Sequence, residues 1–143
     1  MEVTETVTKI GVSGNRRKYF TDYIKGRELV FEILDSLVSK YENVIFGNGA
    51  SPQGGVDQIV IEYCKLNGIP IKLFPPYWNL PSPERYHKRN RELVEWSDLV
   101  VCIFVERIRK GGTMYVYRYA RRIGKPVRVY VIKTDTGVVQ YVW

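Results

Sequence analysis

Three segments of the chain combine residue types that suit the binding of an anion. They are residues 13–18 (SGNRRK), 47–55 (GNGASPQGG) and 105–113 (VERIRKGGT). Glycines let backbone N–H groups approach an anion closely, and a helix that begins directly afterwards directs the positive end of its dipole at the same place. Each segment is a candidate phosphate cradle, although a single glycine loop is more often only a tight turn.

The standard glycine fingerprints of nucleotide-binding proteins are absent. The run Gly11-Val12-Ser13-Gly14 does not continue as G-x-G-x-x-G, and no G-x-x-x-x-G-K-[ST] occurs in the chain. An ordinary dinucleotide-binding or P-loop site is therefore disfavoured. The prediction of a site depends instead on the three segments meeting at one edge of the fold.

A further candidate pair, Arg89 and Asn90, lies in a helical pattern. Asn90 shares one face with Tyr86, Leu93 and Val94, and this face is predicted to be buried. A buried amide must find partners, and either a loop backbone or a ligand would satisfy it. Arg89 is either a surface charge or, at the edge of a crevice, a group suited to bidentate phosphate contact.

Apolar runs alternate with helical patterns along the chain. The helix that carries Arg89 is predicted to begin with Ser82 as its N-cap. The run 98–104 is almost continuously apolar, which is typical of a central parallel strand covered on both faces. Strands are predicted over residues 7–12, 43–46, 69–74, 98–104, 127–132 and 138–142.

This order of elements predicts an α/β fold. We expect a Rossmann-like three-layer sandwich with a mostly parallel sheet of about five strands plus a C-terminal antiparallel edge strand, and residues 1–143 forming one nucleotide-binding domain. In such sheets ligands bind beyond the carboxyl ends of the strands. The three glycine-rich or basic segments all follow strands, so they are expected at that edge.

Composition restricts the class of protein and partner. Hydrophobic residues make up 45% of the chain, and the net charge of +7 favours anionic partners. The longest apolar run, 99–105, is too short to span a membrane, and the N-terminus lacks a secretory signal pattern, so a cytoplasmic location without membrane attachment is expected. Cys64 and Cys102 are predicted to be packing residues, no metal site is predicted, and His87 is expected to be exposed without a partner.

The succession of short motifs resembles the SLOG superfamily. This Rossmann-like group joins DNA-processing protein A to the lonely-guy phosphoribohydrolases, and the chain looks most like its YpsA-like branch. The runs that carry the resemblance are Ile10-Gly11-Val12-Ser13-Gly14, Gly49-Ala50, Gly54-Gly55-Val56-Asp57, Arg89-Asn90, Asp98-Leu99-Val100-Val101, Gly111-Gly112-Thr113 and Gly124-Lys125-Pro126-Val127.

The resemblance implies a set of ligand-binding residues. Backbone N–H groups of residues 111–113 would meet a phosphate, with Thr113 capping the helix and adding its hydroxyl. Asp57 would cap its own helix or bond a sugar hydroxyl, the cap being the safer interpretation. With Arg16 added from the first basic loop, the candidates are Gly11, Ser13, Gly14, Arg16, Gly49, Ala50, Gly54, Gly55, Asp57, Arg89, Asn90, Gly111, Gly112 and Thr113.

One departure from the family bears on catalysis. The lonely-guy enzymes share a P-G-G-x-G-T-x-x-E pattern whose Glu takes part in removing a base from a nucleoside monophosphate, and this chain has Val116 at that place. Valine can neither activate water nor stabilise charge on the sugar. Glu106 is the alternative carboxylate, but a lone loop carboxylate is more often solvated surface. Whether the chain is an enzyme stays open, and a phosphoribohydrolase is the second interpretation.

Basic residues offer a third interpretation. Six cations fall in the loops after strands one and four, which are neighbours in a doubly wound sheet, and such a patch suits a polyphosphate or single-stranded nucleic acid, with Tyr77 and Trp78 available for stacking. By contrast, Arg118, Arg121, Arg122 and Lys125 are expected simply to complement the end of the last helix. The six residues of the patch are Arg16, Arg17, Lys18, Arg107, Arg109 and Lys110.

The sequence therefore favours a protein that binds a phosphate-bearing nucleotide of the AMP or ADP-ribose type, with sensing as its role. No cofactor or metal is expected to be required. A nucleic acid is the alternative partner, and the tyrosine-rich last helix and the terminal edge strand are surfaces that a homo-oligomer could cover.

Overall fold

The computed structural model describes residues 6–107 and 111–142, without the side chain of Val142, and these residues form a six-stranded sheet with four α-helices. The strands are β1 (Thr8–Gly14), β2 (Val44–Asn48), β3 (Ile71–Leu73), β4 (Leu99–Val105), β5 (Val127–Lys133) and β6 (Val138–Val142). The helices are α1 (Tyr23–Lys40), α2 (Val56–Asn67), α3 (Glu84–Trp96) and α4 (Gly112–Arg122), and a short 3-10 turn covers Arg17–Tyr19.

The strand order is β3-β2-β1-β4-β5-β6, parallel throughout except for the antiparallel edge pair β5 and β6. The predicted Rossmann-like α/β fold is thus confirmed, as is the central position of the 98–104 run. No helix in the described residues is long and apolar enough to cross a bilayer.

Strand β4 is buried along its whole length because both faces of the sheet are covered. Its side chains alternate between two cores: Val101 and Ile103 pack with α1 and α2, whereas Val100 and Cys102 pack with α3 and α4. The alternation follows from the two-residue repeat of a strand. The helices therefore lie in pairs on opposite faces, which makes the three layers of the sandwich.

The beginning of α1 and the end of α2 have the capping residues typical of helix ends, whereas the beginning of α3 differs from the sequence prediction. Asp22 caps α1 by accepting the backbone N–H of Lys25 at 3.0 Å, and Gly68 ends α2 in the left-handed conformation at φ 63°. The prediction that Ser82 is the N-cap of α3 is wrong. Pro83 occupies that position without a side-chain cap, and the helix begins at Glu84.

The chain reverses its direction of travel across the sheet between β1 and β4. From β1 it proceeds outward through β2 to β3, then returns to place β4 on the other side of β1, with Ser13 opposite Cys102 and Gly14 opposite Ile103. Ligands of open α/β sheets bind in the crevice at such a reversal. The loops after β1 and β4 therefore flank the place where a site is expected.

Candidate functional site

A cavity of about 530 Å³ opens at this reversal, beyond the carboxyl ends of β1 and β4. The loops after β1 and β2, helix α3 and the beginning of α4 form its walls. Most of the predicted ligand-binding residues line it, namely Ser13, Gly14, Arg16, Gly49, Asp57, Arg89, Asn90, Gly111, Gly112 and Thr113. Segments that are up to 100 residues apart in the chain thus meet, as the hydrogen-bonded pair Ser13 and Thr113 shows.

Four predicted residues do not line the cavity, and each has another role. Gly11 lies inside β1, where a Cβ would overlap the hydroxyl of Ser97 on the end of α3, so its small size serves helix packing. Ala50, at φ 51°, and Gly54, at φ 71°, form the turns of the loop between β2 and α2. Gly55 touches the backbone of the first loop, where a Cβ would overlap the carbonyl oxygen of Asn15.

The beginning of α4 presents backbone to the cavity. Gly111 is the N-cap at φ 129°, with no side-chain cap, so the predicted capping by Thr113 is wrong. Thr113 instead lies within the first turn, and its hydroxyl is 3.2 Å from that of Ser13. The first N–H groups of any helix lack intrahelical partners. Among the described residues, a Cβ on Gly112 would meet nothing closer than the Nδ2 of Asn90 at 3.9 Å, so there is room for a side chain at this position.

Arg89 enters the site from α3 with only 7% of its surface exposed. Its Nη1 donates to the carbonyl oxygens of Gly49 and of Phe74, the latter at 3.2 Å, and so ties the loop after β2 to the chain after β3. Within the described residues, its Nε is buried without a hydrogen-bond partner. Arg89 is therefore neither the surface charge nor simply the free phosphate clamp considered from the sequence: it is built into the wall and keeps donor capacity.

Asn90 is 6% exposed and lines the cavity. Its Nδ2 lies 3.9 Å from where a Cβ on Gly112 would be, and within the described residues its side chain has no hydrogen-bond partner. A polar group that enters the cavity at the beginning of α4 would meet this amide.

Asp57 fastens the loop after β2 rather than its own helix. One carboxylate oxygen accepts from Nδ2 of Asn48 at 3.2 Å, and the other accepts from the backbone N–H of Ser51 at 2.9 Å. Asn48, which is fully buried, also accepts from the backbone N–H of Ala50 at 2.8 Å. The predicted cap on α2 is therefore wrong, since Gly55 is the N-cap and no side chain caps the helix.

Burial raises the pKa of Asp57, and the hydrogen bonds from Ser51 and Asn48 and the charge of Arg89 lower it only in part. Because the pKa is higher in the folded chain, folding favours the protonated acid. That stability is present at acidic pH, below the unfolded value of about 3.9, and is lost as the pH rises through the raised value. The comparison is between the wild type and Asp57→Asn. We expect the unfolding free energy of the wild type minus that of the variant to fall as the pH rises through this interval.

Urea unfolding at a series of pH values measures this difference. The same substitution at the exposed Asp135 is the matched control for the loss of one carboxylate. A difference that grows as the pH rises would contradict a buried Asp57 that resists ionisation.

Several residues of the site carried no signal that sequence reasoning could use. Asn15 is 6% exposed and lines the cavity, and its Oδ1 accepts from the backbone N–H of Val105 at 2.7 Å. His87 is half-buried and stacks on Tyr115, with ring centroids 4.1 Å apart and planes 1° apart, contrary to the prediction that it is exposed and alone. Arg118 lines the cavity instead of complementing the end of α4.

The two positions considered for catalysis, Val116 and Glu106, do not line the cavity. Val116, at the place of the family Glu, is fully buried in the core between α4 and the sheet. Glu106 does not line the cavity: its Oε1 accepts from the hydroxyls of Thr21, at 3.0 Å, and Thr134. These hydrogen bonds hold the pKa of Glu106 below its usual value although burial raises it. Among the described residues, the carboxylate that lines the cavity is Asp57.

The basic patch is only partly described. Arg16, Arg17, Lys18 and Arg107 are exposed, whereas Arg109 and Lys110 lie outside the described residues. Neither aromatic proposed for stacking lines the cavity. Tyr77 donates to Glu92 on α3, and Trp78 is 56% exposed with the Arg85 guanidinium 5.6 Å from its ring centroid.

Comparison with known proteins bears on the fold. No protein-family model matches the chain, and no curated protein matches it. Among solved structures, it is similar to DNA processing protein A from Helicobacter pylori, a structure described for its single-stranded DNA binding mode, with a TM-score of 0.59 and 22% sequence identity. The match covers 85% of this chain and 64% of that chain, so it shows a shared fold over part of the neighbour's length.

Proposed function

We propose that this cavity binds a phosphate-bearing nucleotide, of the AMP or ADP-ribose type, and that the chain is a sensor of the SLOG superfamily from its YpsA-like branch. The observation that carries the proposal is a pair of donors that lack a partner within the described residues and belong to side chains lining the cavity: the Asn90 amide near the beginning of α4, and the buried Arg89 Nε near Gly49. A bound phosphate would accept hydrogen bonds from such donors.

The charges of the walls support an anionic ligand. Arg16, Arg89 and Arg118 line the cavity and outnumber Asp57, which is the carboxylate among its described lining residues. The N-terminal end of α4 adds positive potential of roughly half a charge. A phosphate in front of Gly112 would meet both the helix dipole and the Asn90 amide.

The size and composition of the cavity suit a nucleotide better than a free phosphate. About 530 Å³ falls in the range of small-molecule sites. Aromatic side chains provide apolar surface for a base and its sugar, and they come from three different elements of the fold. They are Tyr19, Tyr86, His87 and Tyr115.

Thermal unfolding in the presence of AMP, ADP-ribose, NAD and cyclic nucleotides tests the proposal. A ligand that binds only the folded chain at 100 times its Kd adds about 2.7 kcal/mol of stability. We expect at least one of these nucleotides to raise the unfolding temperature, and adenosine, which lacks a phosphate, to have little effect. If no nucleotide stabilises the chain, the proposal fails.

Asn90→Ala separates a ligand contact from a structural role. Because the amide has no partner, its removal should change the free energy of unfolding by less than about 1 kcal/mol. The stabilisation by a nucleotide should fall, with affinity reduced roughly tenfold for a lost hydrogen bond to a charged group. Denaturant unfolding and calorimetric titration measure the two quantities. A strongly destabilised variant with unchanged affinity would make Asn90 structural.

Single-stranded nucleic acid is a second candidate, which two observations favour. Exposed Arg16, Arg17, Lys18 and Arg107 follow β1 and β4, and the similar DNA processing protein A is described as binding single-stranded DNA. Binding through phosphates depends steeply on salt. Tight, salt-dependent binding of a single-stranded oligonucleotide, weakened by Arg17→Gln and Arg107→Gln at residues that do not line the cavity, would favour this candidate over the mononucleotide.

Hydrolysis is decided by a separate assay. Base cleavage needs a carboxylate that is free to act, and both oxygens of Asp57 already accept hydrogen bonds. We therefore expect binding without release of free base from nucleoside monophosphates. Free base in that incubation would make the chain a phosphoribohydrolase.

A further inference from the structure

A second concave surface lies at the opposite edge of the sheet from the cavity. It is a groove of about 510 Å³ at the beginning of β4 and β5, where Leu99 and Val127 stand, and it includes the turn that follows α4. We call it the amino-edge groove. The cavity, by contrast, lies beyond the ends of β1 and β4, so the length of the sheet separates the two.

Three cations line the amino-edge groove: Arg121, Lys125 and Arg128. Among the described residues, no carboxylate lines the groove and none of the three cations forms an ion pair. Uncompensated positive charge on one concave surface creates a potential that attracts anions. The groove is thus positively charged, like the cavity, and the two share no lining residue.

Neutral acceptors hold two of these cations in place. Nζ of Lys125 donates to the carbonyl oxygen of Glu95 at 3.3 Å, and Nη2 of Arg128 donates to the hydroxyl of Tyr41 at 2.9 Å. Such contacts orient a side chain and leave its charge unneutralised. The carboxylate of Glu95 accepts from the hydroxyl of Tyr119 and that of Asp98 accepts from the backbone N–H of Lys9, and within the described residues neither forms an ion pair with a cation of the groove.

We propose that the amino-edge groove is a second anion-binding site whose ligand carries phosphate groups. Guanidinium groups match phosphate oxygens in a bidentate way, and three positive charges suit a ligand with more than one negative charge. Tyr141, which is 57% exposed at the groove, offers a face on which a base stacks. A free phosphate compound and the backbone of a single-stranded nucleic acid supply the same chemistry.

The test compares two variants with the same change in charge. Arg121→Gln, Lys125→Gln and Arg128→Gln together remove the cations of the groove. Lys65→Gln, Arg122→Gln and Lys133→Gln together form the control, because these exposed residues do not line it. Both triple variants carry Gly112→Asp, so that binding at the cavity is weakened equally and the result is independent of the proposed function.

Inorganic pyrophosphate and a short oligothymidylate are titrated into both proteins at low salt, by calorimetry and fluorescence anisotropy. We expect the groove variant to bind at least one of them roughly tenfold more weakly than the control, with a smaller salt slope for the oligonucleotide. Loss of oligonucleotide binding alone identifies nucleic acid as the ligand, and loss of pyrophosphate binding identifies a free phosphate compound.

Equal affinities in the two variants, or no binding to the control, would overturn the proposal. Should the change at Arg128 prevent folding, because this side chain is half-buried on β5, the double variant Arg121→Gln with Lys125→Gln replaces it. Its matched control is then Lys65→Gln with Arg122→Gln, and the same outcomes decide.

Discussion

Replacing Gly112 with aspartate is expected to weaken binding of a nucleoside monophosphate by roughly 100-fold, which is about 2.7 kcal/mol, while the fold stays intact. The new carboxylate would stand in the first turn of α4, where the proposed phosphate meets the helix dipole. A negative charge at a helix N-terminus favours the helix by about 0.3–1 kcal/mol, so stability should be unchanged or slightly higher. Loss of binding in a fully stable protein is hard to ascribe to a structural defect.

Gly112→Ala is the matched control. Gly112 lacks a positive φ, and a Cβ there would lie 3.9 Å from Nδ2 of Asn90, an ordinary van der Waals distance. Alanine therefore adds bulk without charge, and we expect affinity within about threefold of the wild type. Calorimetric titration with AMP measures all three proteins. Equal affinity of the aspartate and alanine variants would mean that the phosphate does not lie at this turn.

Gly55→Ala is expected to destabilise the protein by about 3 kcal/mol or more, the largest stability effect proposed here. Gly55 has φ 80° and ψ −140°, a conformation that only glycine adopts readily, and a Cβ would overlap the backbone of Asn15 and Arg16. This close approach joins the loop before α2 to the loop after β1. Both loops contribute walls of the cavity, so the substitution should also weaken ligand binding.

Gly68→Ala separates strain from overlap. Gly68 also has a positive φ, 63°, but a Cβ there meets nothing within 4 Å. We expect a cost of only about 1 kcal/mol from the left-handed backbone. Urea unfolding of both variants gives the comparison, and similar losses of stability at the two glycines would argue that the two loops do not touch as described.

The order of strands and helices along the chain could be predicted because it depends on patterns that local chemistry imposes. The apolar run of β4 indicated a strand buried on both faces, which is confirmed. The alternation of strands and helices then placed the three glycine-rich or basic segments at one edge. This much follows from the two-residue and 3.6-residue repeats together with turn chemistry.

Individual roles within the site could not be predicted, because they depend on contacts between distant segments. Gly11 and Gly14 belong to one motif, and a Cβ on either would overlap a neighbour, Ser97 at the C-cap of α3 or Val56 at the beginning of α2, but of the two glycines Gly14 alone lines the cavity. Asp57 appeared suited to capping α2, but its carboxylate is taken by Asn48 and the Ser51 backbone. A glycine or an aspartate has the same local signature in either role.

The cavity also recruits residues with no motif at all. His87 and Tyr115 stack only because α3 and α4 pack side by side on the same face of the sheet. Arg118 shares a helix with Arg121 and Arg122, and its position along α4, nearer the N-terminus, brings it to the cavity. Packing between helices, which local sequence patterns do not reveal, decides which cations line the cavity.

The most direct test of the central claim is a ¹H–¹⁵N spectrum of the protein titrated with AMP. If the phosphate lies where the unpaired donors converge, the side-chain amide of Asn90 and the backbone N–H groups of Gly112 and Thr113 should shift together and saturate with one Kd. Adenosine at the same concentration should leave them in place. Saturable shifts confined to other surfaces, or none with any phosphate-bearing nucleotide, would contradict a nucleotide site at the beginning of α4.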